Sequence, residues 1–584
     1  RLTPNRTRVI VRVAVVIAMT LILAGAAPAP QTSTFAQLVR QYLAESESRD
    51  PLFADSIGIH TYDDRLPDLS PGAQQASYAW ERAWRARFAA LDATTLTSDE
   101  RADLRTLTDA IDADLLESTR IKPYQTDPSR YTDAIGNAVY QLTSRNYAPL
   151  DQRVRAVATR IRFVPDIVRA AEASLSHPPL VAAELAVQQN QGNIDLYERD
   201  LPQLAKSTSS ATQALLARNL PAAVASLKDF QAFLSGPLLK QADGNTRVGA
   251  AVFDAELRLV DGTDTPRAQL VARAQAQFDA ARREMLALAR PLYRSLVGEN
   301  PPAQAASEDA LIDAVVAPVL NRLADRHPAR DQVFATARAD VAAIESFLTS
   351  NPVVRLPAPN TLHVATTPEF QAGVAGAGLD PPGPFTPLAG SYYYIDTIPA
   401  SWSEERVTSY LRENNDYEMR MLSLHEAVPG HYVQFRYNAL APSLVRRVWP
   451  NGSFVEGWAV YGEGMMLDSG YGRGDVALRL FQLKWRLREY ANAIIDAQYH
   501  TAGLTQAQCM TLLTKAFQER SEALTKWHRL ELSHDQLSSY FVGLDAIQQA
   551  RGSFTGSAAA FNARLLDMGS VEPRFVSTLI TTTR

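Results

Sequence analysis

From Thr34 to about Ala343, apolar residues recur every three or four positions in a background of Ala, Leu, Arg and Gln, as in Val154-Val157-Ala158-Ile161 and Leu270-Ala274-Phe278. Such spacing lines up one apolar face only if the backbone is α-helical, so this half of the chain is expected to be a stack of helices. Breaks at Pro71-Gly72, Pro178-Pro179, Asp261-Gly262 and Pro301-Pro302 separate helical runs of about 20 to 30 residues. Thr265-Pro266 reads as a cap followed by Pro at the first helical position. No period is strict enough for a solenoid.

The pattern changes between Asn351 and Pro399, where seven prolines fall from Pro352 to Pro384. Two β-prone pieces, Thr361-Leu362-His363-Val364 and Tyr392-Tyr393-Tyr394-Ile395, predict a small sheet there. One or two of the three Tyr could face a cleft, on an edge strand able to pair with an extended peptide, with plain sheet packing the simpler reading of each. Helical spacing resumes from Glu404 to about Arg551.

Composition bounds the rest. The chain has 584 residues, 46% apolar and 21% charged, with 28 Gly and 34 Pro, which excludes disordered and collagen-like classes. A single Cys509 excludes an intrachain disulfide, and beside Met510 it reads as core. A net charge of −5 gives no footprint for nucleic acid or an anionic membrane, leaving a small molecule or a peptide as the expected partner. Arg1, Arg6, Arg8 and Arg12 precede an apolar run from Val13 to Ala27, with Ala24-Gly25-Ala26 suited to cleavage. This is a secretory signal pattern, too short for a stable membrane span. No Cys follows it to carry a lipid, so a mature periplasmic or secreted bacterial protein is expected. The organisation expected is a signal peptide over 1–26 and one mainly helical domain over 27–584, with a helical half to 350 and a second half from 351.

Five of the nine histidines (His425, His431, His500, His528 and His534) lie between 425 and 534. The densest stretch is His425-Glu426-Ala427-Val428-Pro429-Gly430-His431, followed by Glu456 in Glu456-Gly457-Trp458-Ala459-Val460-Tyr461-Gly462-Glu463. Two His, an adjacent Glu and a later Glu are what a catalytic zinc uses. Here the two His are six apart rather than four, which on a straight helix sets them about 240° apart around the axis and about 9 Å along it. A break at Pro429-Gly430 could return His431 to the face of His425. The residues alone equally allow two polar side chains flanking a helix break.

The strings HEAVPGH and EGWAVYGE resemble the bacterial family called domain of unknown function 885, grouped with zinc metallopeptidases of the gluzincin type. The likeness extends to Gly58-Ile59-His60-Thr61-Tyr62-Asp63, Leu66-Pro67-Asp68-Leu69-Ser70 and Thr366-Thr367-Pro368-Glu369. It continues in Ile494-Ile495-Asp496 with His500, and in Gln536, Ser539-Tyr540 and Gly543. It departs where Gln498 replaces a Gly and His534-Asp535 replaces Pro-Gly.

The resemblance implies His425, His431 and Glu456 as ligands of one zinc ion per chain, Glu426 as general base, and a mainly α fold. That fold is a large set of helices with a deep cleft and one small β-sheet, similar to carboxypeptidase Taq and angiotensin-converting enzyme. Glu426 would take a proton from water attacking a carbonyl and pass it to the leaving amine. His500 and Tyr540 are candidates for stabilising the oxyanion, with buried core residues the plainer alternative for each. Glu463, two turns beyond Glu456, would orient a ligand or replace it as third ligand. Asp496 would hold His500, or form an ordinary pair four residues away. Arg551 is a weaker candidate for pairing with a substrate carboxylate, while His528 and His534 read as surface or core.

These residues point to an exported zinc peptidase acting on short or unfolded peptides. An amidase or esterase with the same metal, and a helical binding protein without catalysis, are the alternatives.

Overall fold

The computed structural model describes residues 33–367 and 377–581, so the expected signal segment and Pro368-Glu369 lie outside the described residues. The protein is mainly helical with one three-stranded sheet. Helices form where the sequence spacing predicts them. In Arg267–Val297 the buried residues Leu270, Ala274, Phe278, Ala281, Met285, Ala289 and Tyr293 follow three- and four-residue steps along one face. Val154, Val157, Ala158 and Ile161 are likewise buried. Starts are set by side-chain caps: Ser209 accepts from Thr212 N, and Thr97 forms a reciprocal capping box with Glu100. Pro71, expected at a break, opens the helix Pro71–Ala89 behind the Ser70 cap.

Apolar packing is divided. One core gathers Tyr131 to Leu238, and a larger one runs from Phe253 to Ile580 with a contribution from Ala102. The division of packing thus precedes the change in composition at Asn351. No helix among the described residues is long and apolar enough to cross a membrane.

The sheet comprises β1 (Leu362–Thr366), β2 (Ala377–Asp380) and β3 (Ser391–Ile395), in the order β1-β3-β2. β1 runs parallel to β3 and β2 antiparallel to it. The Tyr-rich strand is therefore central, not an edge. Tyr393 is buried, whereas Tyr392 and Tyr394 stack at 5.6 Å on the opposite face. Their hydroxyls meet Ser144 O at 3.2 Å and Tyr140 Oη at 2.8 Å, which ties the sheet to the helical half. Tyr392, Tyr393 and Tyr394 are absent from the lining of the cleft described below, in keeping with plain sheet packing; the sheet contributes Ala377 of β2 instead.

Five helices build the cleft: α1 (His431–Asn438), α2 (Gly452–Asp468), α3 (Val476–Ala502), α4 (Arg520–Leu532) and α5 (Gln536–Ser553). α2 and α5 cross at glycine. A Cβ on Gly457 would fall 2.3 Å from the Gly543 carbonyl carbon, and one on Gly543 would fall 1.7 Å from Ser453 O. Only hydrogen fits at either position. α5 begins after Asp535, whose φ of 61° is the left-handed conformation that glycine adopts most easily. Asp535 stands where the resembled family has Gly, so the substitution preserves the backbone path at the cost of placing a side chain there.

Candidate metal centre

The helix that carries His425 widens over Ser423–Ala427, and α1 then starts at His431 after a cis Val428-Pro429 bond and Gly430. A Cβ on Gly430 would sit 1.7 Å from the His425 carbonyl oxygen, so the chain folds back on itself only because this residue is glycine. The fold-back cancels the six-residue spacing. The imidazoles of His425 and His431 meet with ring centres 4.8 Å apart and planes at 87°. Trp458 Nε1 donates to Pro429 O at 2.9 Å and fixes the turn against α2.

Glu456 rises from α2 between the two rings. Its Oε2 is 3.5 Å from His425 Nε2 and 3.5 Å from His431 Nε2. Ligands about 2.0–2.1 Å from a tetrahedral zinc stand about 3.4 Å from one another, and both distances to Glu456 Oε2 match that edge. Glu456 Oε2 is buried and has no hydrogen-bond partner. Behind the centre, His425 Nδ1 donates to Glu463 Oε1 at 2.8 Å, which leaves Nε2 facing the site. Glu463, expected either behind a ligand or as a ligand itself, takes the first of these positions. The Glu426 carboxylate gathers with both imidazoles, their ligand atoms all within 4.8 Å.

Electrostatics match the geometry. Burial opposes charge on His425, yet Glu456 and Glu463 hold its imidazole well above the usual range. Burial also works against ionised Glu456, but His431 and His425 hold its carboxyl well below the ordinary value. Each shift favours the ionised form of its group.

The centre opens into a cleft of about 430 Å³ lined by His425, Glu426, Trp485 and Tyr540 together with a ring of charged groups. Tyr540 from α5 places its ring 6.5 Å from that of His425, and its hydroxyl accepts from Arg529 Nη2 at 2.9 Å. Burial, then the nearby Glu456, raise its hydroxyl pKa, which keeps the proton available for donation. Glu418 accepts from Lys484 Nζ at 2.6 Å, and Arg488 pairs with Glu522 at 2.8 Å. These wall residues escaped the sequence reading, although a signal exists. Trp485, Arg488, Glu489 and Asn492 follow helical spacing on the largely buried α3, as do Glu522, Lys526 and Arg529 on α4, so that each helix turns one polar stripe to the cleft.

His500 and Asp496 are elsewhere. His500 is buried against Phe253, 5.7 Å between ring centres, and its Nε2 meets Ser533 O at 3.1 Å. Asp496 Oδ2 accepts from the amide and hydroxyl of Ser538, both at 2.8 Å, with Oδ1 3.5 Å from His500 Nε2. Neither lines the cleft, so the oxyanion role considered for His500 finds no geometric support. Arg551 is also absent from its lining; it lies over the Phe561 ring, 5.6 Å from its centre. His528 pairs with Glu531 at the surface, His534 pairs with Glu256, and Cys509 is buried, as its neighbours in sequence imply.

A family model described as a bacterial protein of unknown function (DUF885) matches residues 51–580. The chain belongs to this family. A structure from Shewanella oneidensis, described as a lipoprotein of unknown function, is similar at 29% identity and a TM-score of 0.78. The alignment covers 94% of this chain and 100% of that one. A structure from Colwellia psychrerythraea, likewise described as a lipoprotein, shares the fold at 14% identity and a TM-score of 0.76, covering 94% of this chain and 99% of the other. No curated protein matches.

Proposed function

We propose that this DUF885 member is an exported bacterial zinc peptidase that hydrolyses short or unfolded peptides with metal-activated water. The observation that carries this reading is Glu456 Oε2 standing 3.5 Å from both His425 Nε2 and His431 Nε2, with the Glu463 carboxylate behind His425. A zinc ion held by these three residues would supply Lewis acidity that polarises a carbonyl and acidifies water. Glu426 takes the proton of the attacking water and returns it to the leaving amine nitrogen. Tyr540, its oxygen held by Arg529, turns its own proton to the developing oxyanion. A cleft of about 430 Å³ encloses a peptide of a few residues and excludes a folded protein. Arg488, Lys526 and Arg529 in its wall suit the carboxylate end of such a substrate. Export follows from the sequence of the first 26 residues, and the description of both similar structures as lipoproteins supports an envelope location.

The test is the metal content of the purified protein beside His425→Ala/His431→Ala, followed by a peptide-library screen with Glu426→Gln as control. One zinc lost with the two histidines, and cleavage lost with Glu426, are expected. A wild-type protein that takes up no metal at this pair overturns the reading.

A further inference from the structure

A second group of ligand-type side chains lies outside the cleft. Asp55, at the end of the helix Pro51–Ser56, comes together with His60 and Asp63 of the following loop, their ligand atoms all within 4.8 Å. Each carboxylate is gripped from behind by one oxygen. Arg160 donates from both terminal nitrogens to Asp55 Oδ2, at 2.8 and 2.5 Å, and Tyr147 donates to Asp63 Oδ2 at 2.5 Å. The other oxygens face inward: Asp63 Oδ1 is 3.0 Å from His60 Nδ1, and Asp55 Oδ1 is buried without a hydrogen-bond partner. The Asp55 side chain is 0% exposed. Asp55 and His60 form part of the wall of a cavity of about 200 Å³, which gives the group a route of entry.

Charge reinforces the geometry. Two carboxylates face one guanidinium, and Arg160 reaches only the outer oxygen of Asp55. Carboxylates whose outer oxygens are fixed by hydrogen bonds while the inner ones converge with an imidazole are arranged as the second shell of a metal site arranges its ligands.

We propose that Asp55, His60 and Asp63 bind a divalent first-row cation, zinc or manganese, at a site separate from the hydrolytic centre. Mixed imidazole and carboxylate donors suit these ions. The bound cation is a clamp. Its loop is wedged against the connection to β3: Phe385 N donates to Ile57 O at 3.1 Å, and Gly58, with φ of +86°, has room only for hydrogen under Thr386. Across the cavity, Arg145 pairs with Asp380 of β2 at 2.6 Å, and β2 reaches the cleft through Ala377. The cation therefore fastens the helical half to the sheet that borders the cleft.

The test uses the full chain carrying His425→Ala/His431→Ala, which removes the other centre, stripped with chelator and titrated with Zn2+ or Mn2+. About one equivalent should bind and raise the thermal midpoint. His60→Gln with Asp63→Asn in that background should weaken binding at least tenfold and abolish the metal-dependent shift. Should that variant fail to fold, His60→Cys loaded with Co2+ should show a thiolate-to-cobalt charge-transfer band. No bound metal in the His425→Ala/His431→Ala protein, metal binding that survives loss of His60 and Asp63, or a folded His60→Cys protein without the band would overturn the proposal. The outcome is independent of the peptidase reading, since wild-type protein binding metal only here would support this site and overturn the other.

Discussion

Glu463 accepts from His425 Nδ1 at 2.8 Å, and this single contact decides which nitrogen of the ring faces Glu456. Glu463→Gln keeps the shape and removes the charge. Metal affinity should fall about 10- to 100-fold. Competition against a chromophoric chelator measures it, and an unchanged affinity would show that the ring is oriented by packing alone.

The glycine crossing of α2 and α5 sets where Glu456 stands, because Gly457 is its neighbour. Gly543→Ala brings a methyl against Ser453 O, where the helices have no room. The overpacking cost of about 1–3 kcal/mol outweighs the helix preference of about 1 kcal/mol that Ala gains. A lowered midpoint in urea is expected, together with weaker metal binding as Glu456 moves.

Tyr540→Phe tests the donor role. Loss of one oxyanion donor should lower kcat about 10²- to 10³-fold with KM little changed. Steady-state kinetics on a peptide from the screen separates this from a packing role, in which both constants would move.

His500 gives a pH signature. Burial, then the positive His534 and Arg247, lower its pKa to about 3 from an ordinary 6.5, while the Ser533 carbonyl opposes this. The unfolded chain takes up a proton near pH 6.5 and the folded chain does not. The neutral ring's contribution is therefore present above 6.5 and lost as pH falls toward 3, by up to about 1.4 kcal/mol per unit. Neighbouring Asp496, pushed up to about 7 by burial, titrates in both proteins. Urea melts at pH 7 and 5 should show wild type losing more stability than His500→Gln. Equal losses would mean that His500 is protonated in the folded state.

The helices were readable because a single period governs each of them, as in Leu270-Ala274-Phe278, and such a period survives any tertiary arrangement. β2 was not: Ala377-Gly378-Leu379-Asp380 has no β-branched alternation and is a strand only because β3 lies beside it. The pairing of His425 with His431 could be anticipated because its cause, Pro429-Gly430, is local. The placing of His500 could not. It continues the stripe of Glu489, Asn492 and Asp496, but at 1.5 Å per residue it stands about 16 Å beyond Glu489, past the end of the cleft. Spacing reports the face of a helix and says nothing about where along its length a neighbour stops. For the same reason Lys526 and Arg529 drew no attention, since their importance depends on α4 lying across from α3.

The two apolar cores also impose an order in time. The core from Tyr131 to Leu238 is complete in sequence before His425 is reached, whereas the α2–α5 crossing waits for Gly543. A chain emerging from its N-terminus can bury the first core while both histidines and Glu456 still lack the helix that holds α2 in place. A product cut short before Gln536 would lack the helix against which α2 packs and would leave the group of His425, His431 and Glu456 unsupported.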